Sequence, residues 1–207
     1  MQELYLIRHG ESEHLVKGLT GGWTNTSLTD LGREQAILTG QRLKDLIQDS
    51  SLGFFSSDLE RASQTAQIIG SILEIVPILD EALRDLNWGV VTGMPLKEAR
   101  EFELEKTEPL FEWIPFPEAE NWRMLHERIA PFLEQIDKKE YDTVLIVSHG
   151  NPIEECIYWW LDFSLEMRRE ISFDIAQCSI THLRVNDWGQ KTIGFLNRIE
   201  HLHSLSS

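Results

Sequence analysis

With 207 residues, 42% hydrophobic and 26% charged, the chain has an ordinary globular balance and enough length to bury a core, so one domain is the expectation. A net charge of −15 and a pI near 4.8 argue against nucleic acid or an anionic membrane as partner, because attraction to a phosphate backbone is not available. There is no apolar run of roughly 18 residues to span a membrane, no signal-peptide pattern at the N-terminus, and two cysteines (Cys156 and Cys178) that fit neither a disulfide framework nor a zinc site, so the expectation is a cytoplasmic protein with reduced core cysteines.

Leu4-Tyr5-Leu6-Ile7 is short, apolar and β-prone, which predicts a buried strand of a largely parallel sheet ending in Arg8-His9-Gly10. Ligands of open α/β sheets bind beyond the carboxyl ends of the strands, so an arginine and a histidine there form a candidate anion site with a nucleophile or base. A strand that merely ends in a charged loop is the plainer reading. Residues 17–25 follow as a glycine-rich loop ending in Trp23 and Asn25. Trp23 is read as an anchor of that loop, with stacking on a substrate as the alternative. A helix is predicted from Thr29, its N-cap, to about Gln48. Gly53–Ser57 reads as the second strand, and Asp58 as the cap of a second long helix with Arg61 in its first turn. Arginine there adds charge to an already positive helix end, which a bound anion would reconcile. Surface pairing of Arg61 with Glu60 or Asp58 is the alternative.

Val76–Leu79 reads as a third strand, followed by a segment containing Glu81 and Asp85. Residues 94–120 combine a short helix near Lys97–Arg100, several glutamates, the proline cluster Pro109, Pro115 and Pro117, and the aromatics Phe111, Trp113 and Phe116. They read as an insertion folded over a pocket mouth, or as a solvated acidic excursion with its aromatics docked on the core. A helix is predicted over Asn121–Lys139, kinked or broken at Pro131. Thr143–Val147 is the clearest strand, and it ends in Ser148-His149-Gly150, repeating the design of the first. A helix to about Leu161, an antiparallel edge region of two strands (Ser179–Val185 and Thr192–Ile199, with a turn at Asn186–Gly189) and a frayed tail from His201 complete the chain.

Four ordered segments resemble the histidine phosphatase superfamily, the phosphoglycerate mutase-like group of branch 1 type. They are Leu6-Ile7-Arg8-His9-Gly10-Glu11-Ser12, Leu28 to Ala36, Ser56 to Ala66 with Arg61 at its centre, and Val147-Ser148-His149-Gly150. The resemblance implies an α/β three-layer sandwich: a mostly parallel central sheet with one antiparallel edge region, flanked by helices. It implies residues 1–207 as a single domain, with a cap-like insertion at about 86–120 over the active site. It also implies one site built from Arg8, His9, Arg61 and His149, with Asp85 opposite. His9 would form a phosphohistidine, and Asp85 would protonate the leaving group. Trp23 and Asn25, in a loop that lines the substrate side, are candidate substrate contacts. No metal and no cofactor are implied.

The chain also departs from the family pattern. Asp85 stands where the family has glutamate, with Glu81, four residues out of register, as the fallback acid. Leu15 stands where the family places a phosphate-holding asparagine. Glu120 matches a family glutamate but is assigned no chemistry.

Elementary chemistry supports the same assembly. A phosphate monoester carries about −1.5 to −2 charge near neutral pH, and two arginines can grip its oxygens. A neutral imidazole can attack phosphorus, and a carboxyl with a raised pKa can donate the proton. The predicted function is metal-independent hydrolysis of a small phosphorylated metabolite. Mutase-type phosphoryl transfer is the alternative, weakened by the scarcity of basic residues in 94–120. Non-catalytic binding of a phosphorylated ligand is a further alternative, motivated by Leu15 and Asp85. The sequence does not indicate an oligomeric state. The remaining histidines, His14, His126, His182, His201 and His203, are each read as surface or partly buried structural residues; His14 follows the first motif closely enough that lining the pocket is its alternative.

Overall fold

The computed structural model describes residues 1–47, 51–139 and 141–205. Its strands are β1 (Glu3–Arg8), β2 (Leu52–Ser56), β3 (Ile78–Leu79), β4 (Thr143–Ser148), β5 (Ile180–Val185) and β6 (Lys191–Arg198). They form one sheet in the order β3-β2-β4-β1-β5-β6. The first four run parallel, while β5 is antiparallel to β1 and β6 to β5.

Side chains alternate across a strand, and the core divides accordingly. Leu4 and Leu6 of β1 and Val144 and Ile146 of β4 pack against α5 (Trp122–Asp137) and α6 (Gly150–Leu161). Tyr5, Ile7, Leu145 and Val147 pack on the other face, against α2 (Asp30–Leu46) and α3 (Glu60–Leu73). Both faces of the sheet are therefore covered, giving the expected three-layer α/β architecture. Crossover helices require this burial of parallel strands, whose residues read as continuous apolar runs.

Several local expectations change. A short helix, α1 (Glu13–Val16), follows the first motif. Thr29 caps α2 as predicted, accepting the Gly32 N–H at 3.1 Å, and α2 ends at Leu46, while the predicted end at Gln48 lies outside the described residues. Asp58 does not cap α3; Leu59 holds that position, and Asp58 forms a bidentate pair with Arg84 at 2.8 and 2.6 Å. β3 is shorter than predicted because Val76 is 85% exposed, so the apolar run there marks a sheet edge. α5 runs unbroken through Pro131. The tail is ordered over 200–205: His201 reaches the Cys178 carbonyl at 3.1 Å and the Thr39 hydroxyl at 3.0 Å.

The segment after Asp85 packs on the glycine-rich loop. Thr20 donates its backbone N–H to the Met94 carbonyl at 2.8 Å and its hydroxyl to the Val91 carbonyl at 2.5 Å, and the Leu96 N–H reaches the Gly18 carbonyl at 3.0 Å. Val91, Ala99, Phe116 and Ala119 form a separate small core, and α4 (Leu96–Ala99) lies within this segment.

Candidate active site

The site is assembled at the carboxyl ends of β1 and β4. These neighbours run in register, Arg8 opposite Ser148, and the His9 N–H donates to the Ser148 carbonyl at 2.9 Å. The residues that follow, His9 and His149, therefore stand side by side, with ring centroids 5.1 Å apart. Gly10 lets the chain turn against α2: a Cβ there would lie 2.4 Å from the Gly32 carbonyl oxygen.

Both histidines are buried. Burial first, and then Arg61, push each imidazole well below its usual pKa, so both are neutral. His9 Nδ1 lies 2.7 Å from the Gly10 carbonyl, which can only accept, so the proton sits on Nδ1. Its Nε2 lone pair faces Arg61 Nε at 3.2 Å. His149 Nε2 lies 2.9 Å from the Ser57 hydroxyl, and its Nδ1 is buried with no protein partner.

Arg61 is fully buried in the first turn of α3 and does not pair with Glu60 or Asp58 at the surface. Its NH1 donates to the Thr24 carbonyl at 2.6 Å and its NH2 to the Gly22 carbonyl at 2.8 Å, tying the glycine-rich loop to the site. Arg8 spends NH1 on the Ile175 carbonyl at 2.6 Å, while its Nε is buried without a protein partner.

Asp85 lies 3.6 Å from Arg61, with 15% of its side chain exposed. Its Oδ1 accepts the Leu86 N–H at 2.9 Å and the Asn151 amide at 3.2 Å. Burial raises its pKa, with Arg61 the main opposing influence. Glu81 is exposed and pairs with Arg84 at 3.7 Å, away from the histidines.

Trp23 and Asn25 both make anchoring contacts. The Trp23 indole donates to the Asp85 carbonyl at 2.8 Å, and Asn25 Oδ1 accepts the Glu60 N–H at 2.8 Å at the start of α3, where Asp58 was expected to serve. Leu15 offers no polar atom to the cluster.

Sequence reasoning missed four participants. Ser57 bonds His149, Asn151 bonds Asp85, and Thr65 accepts the Gly10 N–H at 3.1 Å. Arg128 donates to the carbonyls of Ala82, Arg84 and Asp85 at 2.7, 2.9 and 3.1 Å while pairing with Glu120. Ser57 and Thr65 lie inside the family-like segment Ser56 to Ala66 and Asn151 directly follows His149-Gly150, so their places in the sequence were a signal, whereas Arg128 is one of several charged residues on α5.

Two neutral imidazoles, a fully buried and a half-buried guanidinium group and a carboxyl with a raised pKa suit a phosphoryl group: cations for its oxygens, a nitrogen for phosphorus and a proton for the leaving oxygen. The comparisons point to phosphoryl-transfer chemistry. The model of the histidine phosphatase superfamily, branch 1, matches residues 4–197. A protein of Hydrogenobacter thermophilus named putative phosphoserine phosphatase 2 is 30% identical over the whole of both chains. A 2,3-bisphosphoglycerate-dependent phosphoglycerate mutase of Parvibaculum lavamentivorans is 34% identical over 74% of this chain and 77% of its own. Among solved structures, Bacillus stearothermophilus YhfR superposes with a TM-score of 0.78 at 25% identity, covering 98% of this chain and 100% of its own. The chain belongs to branch 1 of the histidine phosphatase superfamily, whose named relatives here share phosphoryl-transfer chemistry.

Proposed function

We propose that the protein hydrolyses small phosphate monoesters through a phosphohistidine on His9, without a metal. The observation that carries this reading is the fixed tautomer of His9: Nδ1–H on the Gly10 carbonyl leaves Nε2 as the nucleophile. Arg8, Arg61 and His149 hold the phosphoryl oxygens, and two buried donors without protein partners, Arg8 Nε and His149 Nδ1, suit that task. In this reading the Ser57 hydroxyl, 2.9 Å from His149 Nε2, donates to it, and the ring proton is on Nδ1.

In the first step the Nε2–P bond forms, the ester P–O bond breaks, and the Asp85 proton passes to the departing oxygen. The bond from Nδ1–H to Gly10 then stabilises the phosphorylated ring. In the second step water attacks phosphorus, the P–N bond breaks, and the water proton returns to Asp85. Residues 1–207 act as one catalytic domain in this reading, with 86–120 as the insertion that selects the substrate.

Hydrolysis is favoured over mutase chemistry by the charges around the site. A bisphosphorylated intermediate needs a second anion site, yet Arg84 is committed to Asp58, and Arg128 to Glu120 and three carbonyls. The cavity beside Arg8 is lined by Glu154 and Asp174. The names of the relatives support both readings: the putative phosphoserine phosphatase matches the whole chain, and a relative named probable phosphoglycerate mutase matches 97% of it.

The test is hydrolysis of p-nitrophenyl phosphate in chelator by wild type and His9→Ala. Turnover that vanishes in His9→Ala supports the reading. Turnover that needs added metal, or that survives in His9→Ala, overturns it. Exchange between phosphoglycerates that requires a bisphosphate primer, without net hydrolysis, would establish the mutase.

A further inference from the structure

A third histidine faces the cluster. His14 is buried on α1, with its ring centroid 6.1 Å from that of His9. Its Nδ1 meets the hydroxyls of Ser12 and Thr26 at 3.0 and 3.2 Å, which fix the ring plane. Its Nε2 points the other way. A Cβ built on Gly21 would stand 3.2 Å from His14 Nε2 and 3.7 Å from Asp85 Oδ2, so both atoms border the same space, kept open by the lack of a side chain at Gly21. Gly21 has no positive φ that would demand glycine, so the space itself is the physical reason for glycine here.

We propose that His14 is a phosphoryl-binding residue of the site, donating Nε2–H to an oxygen of the group held by Arg8 and Arg61. In the tautomer this role requires, Nδ1 accepts from one of the two hydroxyls and the ring proton resides on Nε2, the atom that borders the same space as Asp85. Burial and the two arginines push the imidazole pKa down to about 4, so His14 acts as a neutral donor near neutral pH. A neutral donor can share an oxygen with Arg61 without adding to the repulsion between the guanidinium groups. The proposal rests on the phosphoryl-transfer reading above and adds to it a residue outside the first motif's Arg8-His9 pair.

The experiment compares wild type, His14→Ala, His14→Gln, Gly21→Ala and the double variant His14→Ala with Gly21→Ala. The readouts are p-nitrophenyl phosphate kinetics, inhibition by orthovanadate, and calorimetric binding of inorganic phosphate, which needs no turnover. Loss of one preorganised donor in such sites costs about 100-fold in rate, so His14→Ala is expected to lower kcat/KM by about 10- to 100-fold and to weaken vanadate and phosphate together. His14→Gln, whose amide can donate, restores part of the loss, which a merely structural ring would not allow. Gly21→Ala weakens phosphate alone, and the double variant loses less than the sum of the two because both act on one space. Should His14→Ala fail to fold, His14→Gln and Gly21→Ala carry the test. Wild-type phosphate and vanadate affinity in a folded His14→Ala, or in both of the other single variants, overturns the proposal alone. A wild type that neither turns over nor binds phosphate overturns the phosphatase reading with it.

Discussion

Arg61 Nε donates to His9 Nε2 at 3.2 Å, with both side chains sealed from solvent. The same guanidinium holds the carbonyls of Gly22 and Thr24, so one residue orients the proposed nucleophile and closes the loop beside it. A lysine ammonium lacks the planar fork that meets three acceptors at once. Arg61→Lys is expected to lower kcat by about 100- to 1,000-fold and to lower the melting temperature, because buried carbonyls lose their donors. Steady-state kinetics and a thermal melt check both. Unchanged kinetics would remove Arg61 from the phosphoryl site.

The proton donor is tested through the leaving group. Nitrophenolate departs readily without a proton, whereas an alkoxide needs one. Asp85→Asn is therefore expected to cost alkyl phosphates far more than p-nitrophenyl phosphate. Because burial raises the Asp85 pKa, turnover of alkyl phosphates in wild type falls as pH rises through that raised value. Equal losses on both substrates would mean that Asp85 serves structure or binding alone.

The backbone of Asp85 is held from two sides, by the Trp23 indole at 2.8 Å and by Arg128 at 3.1 Å. Glu120 orients Arg128 and also accepts the Asn87 N–H at 2.9 Å. Arg128→Met leaves three carbonyls without this donor, a cost of about 1–3 kcal/mol for each one that stays buried and unpaired. Beyond that destabilisation, kcat for alkyl phosphates is expected to fall with KM little changed, because the acid is misplaced while the phosphate grip remains. A rise in KM alone would place Arg128 on the binding side.

The fold and the core of the site were legible because both rest on short-range pattern. Leu4 to Ile7 and Thr143 to Val147 read as buried strands, and each ends in a histidine, so adjacent parallel strands bring the two together. The contacts that set geometry cross long stretches of chain. Asn25 bonds Glu60, Asn151 bonds Asp85 and Arg128 reaches the carbonyl of Ala82, pairings that no periodicity encodes. Asp58 misled for the same reason: a good local cap was claimed by a distant arginine, Arg84. The tail beyond His201 was read as frayed because its anchors, Thr39 and Cys178, are remote in sequence.

Acid should destabilise the fold. His9, His14 and His149 are held neutral in the folded state, with pKa values below the ordinary 6.5 and His14 at about 4. The unfolded chain then binds more protons below pH 6.5, so this stability is present above about 6.5 and is lost as pH falls toward 4. Asp85, with its raised pKa, acts in the opposite sense and is outnumbered. Thermal melts between pH 7 and pH 4.5 should show a falling melting temperature, and His14→Gln should flatten the slope. A melting temperature that rises on acidification would show that the histidines do not control this range.

Long-range and local fields oppose one another in this protein. The whole chain carries −15, while the site holds the guanidinium groups of Arg8 and Arg61. An anionic substrate approaching from solution feels the net charge over a Debye length of about 30 Å at 0.01 M salt but only about 10 Å at 0.1 M. Raising salt across that range therefore screens the repulsion on approach, while the final contacts with half-buried Arg8 and fully buried Arg61 are screened less. Turnover at substrate concentrations well below KM is expected to rise, or at least not to fall, over this range, while kcat at saturation stays flat. A steep fall in kcat/KM would mean that a local positive field reaches beyond the pocket mouth and governs encounter despite the acidic surface.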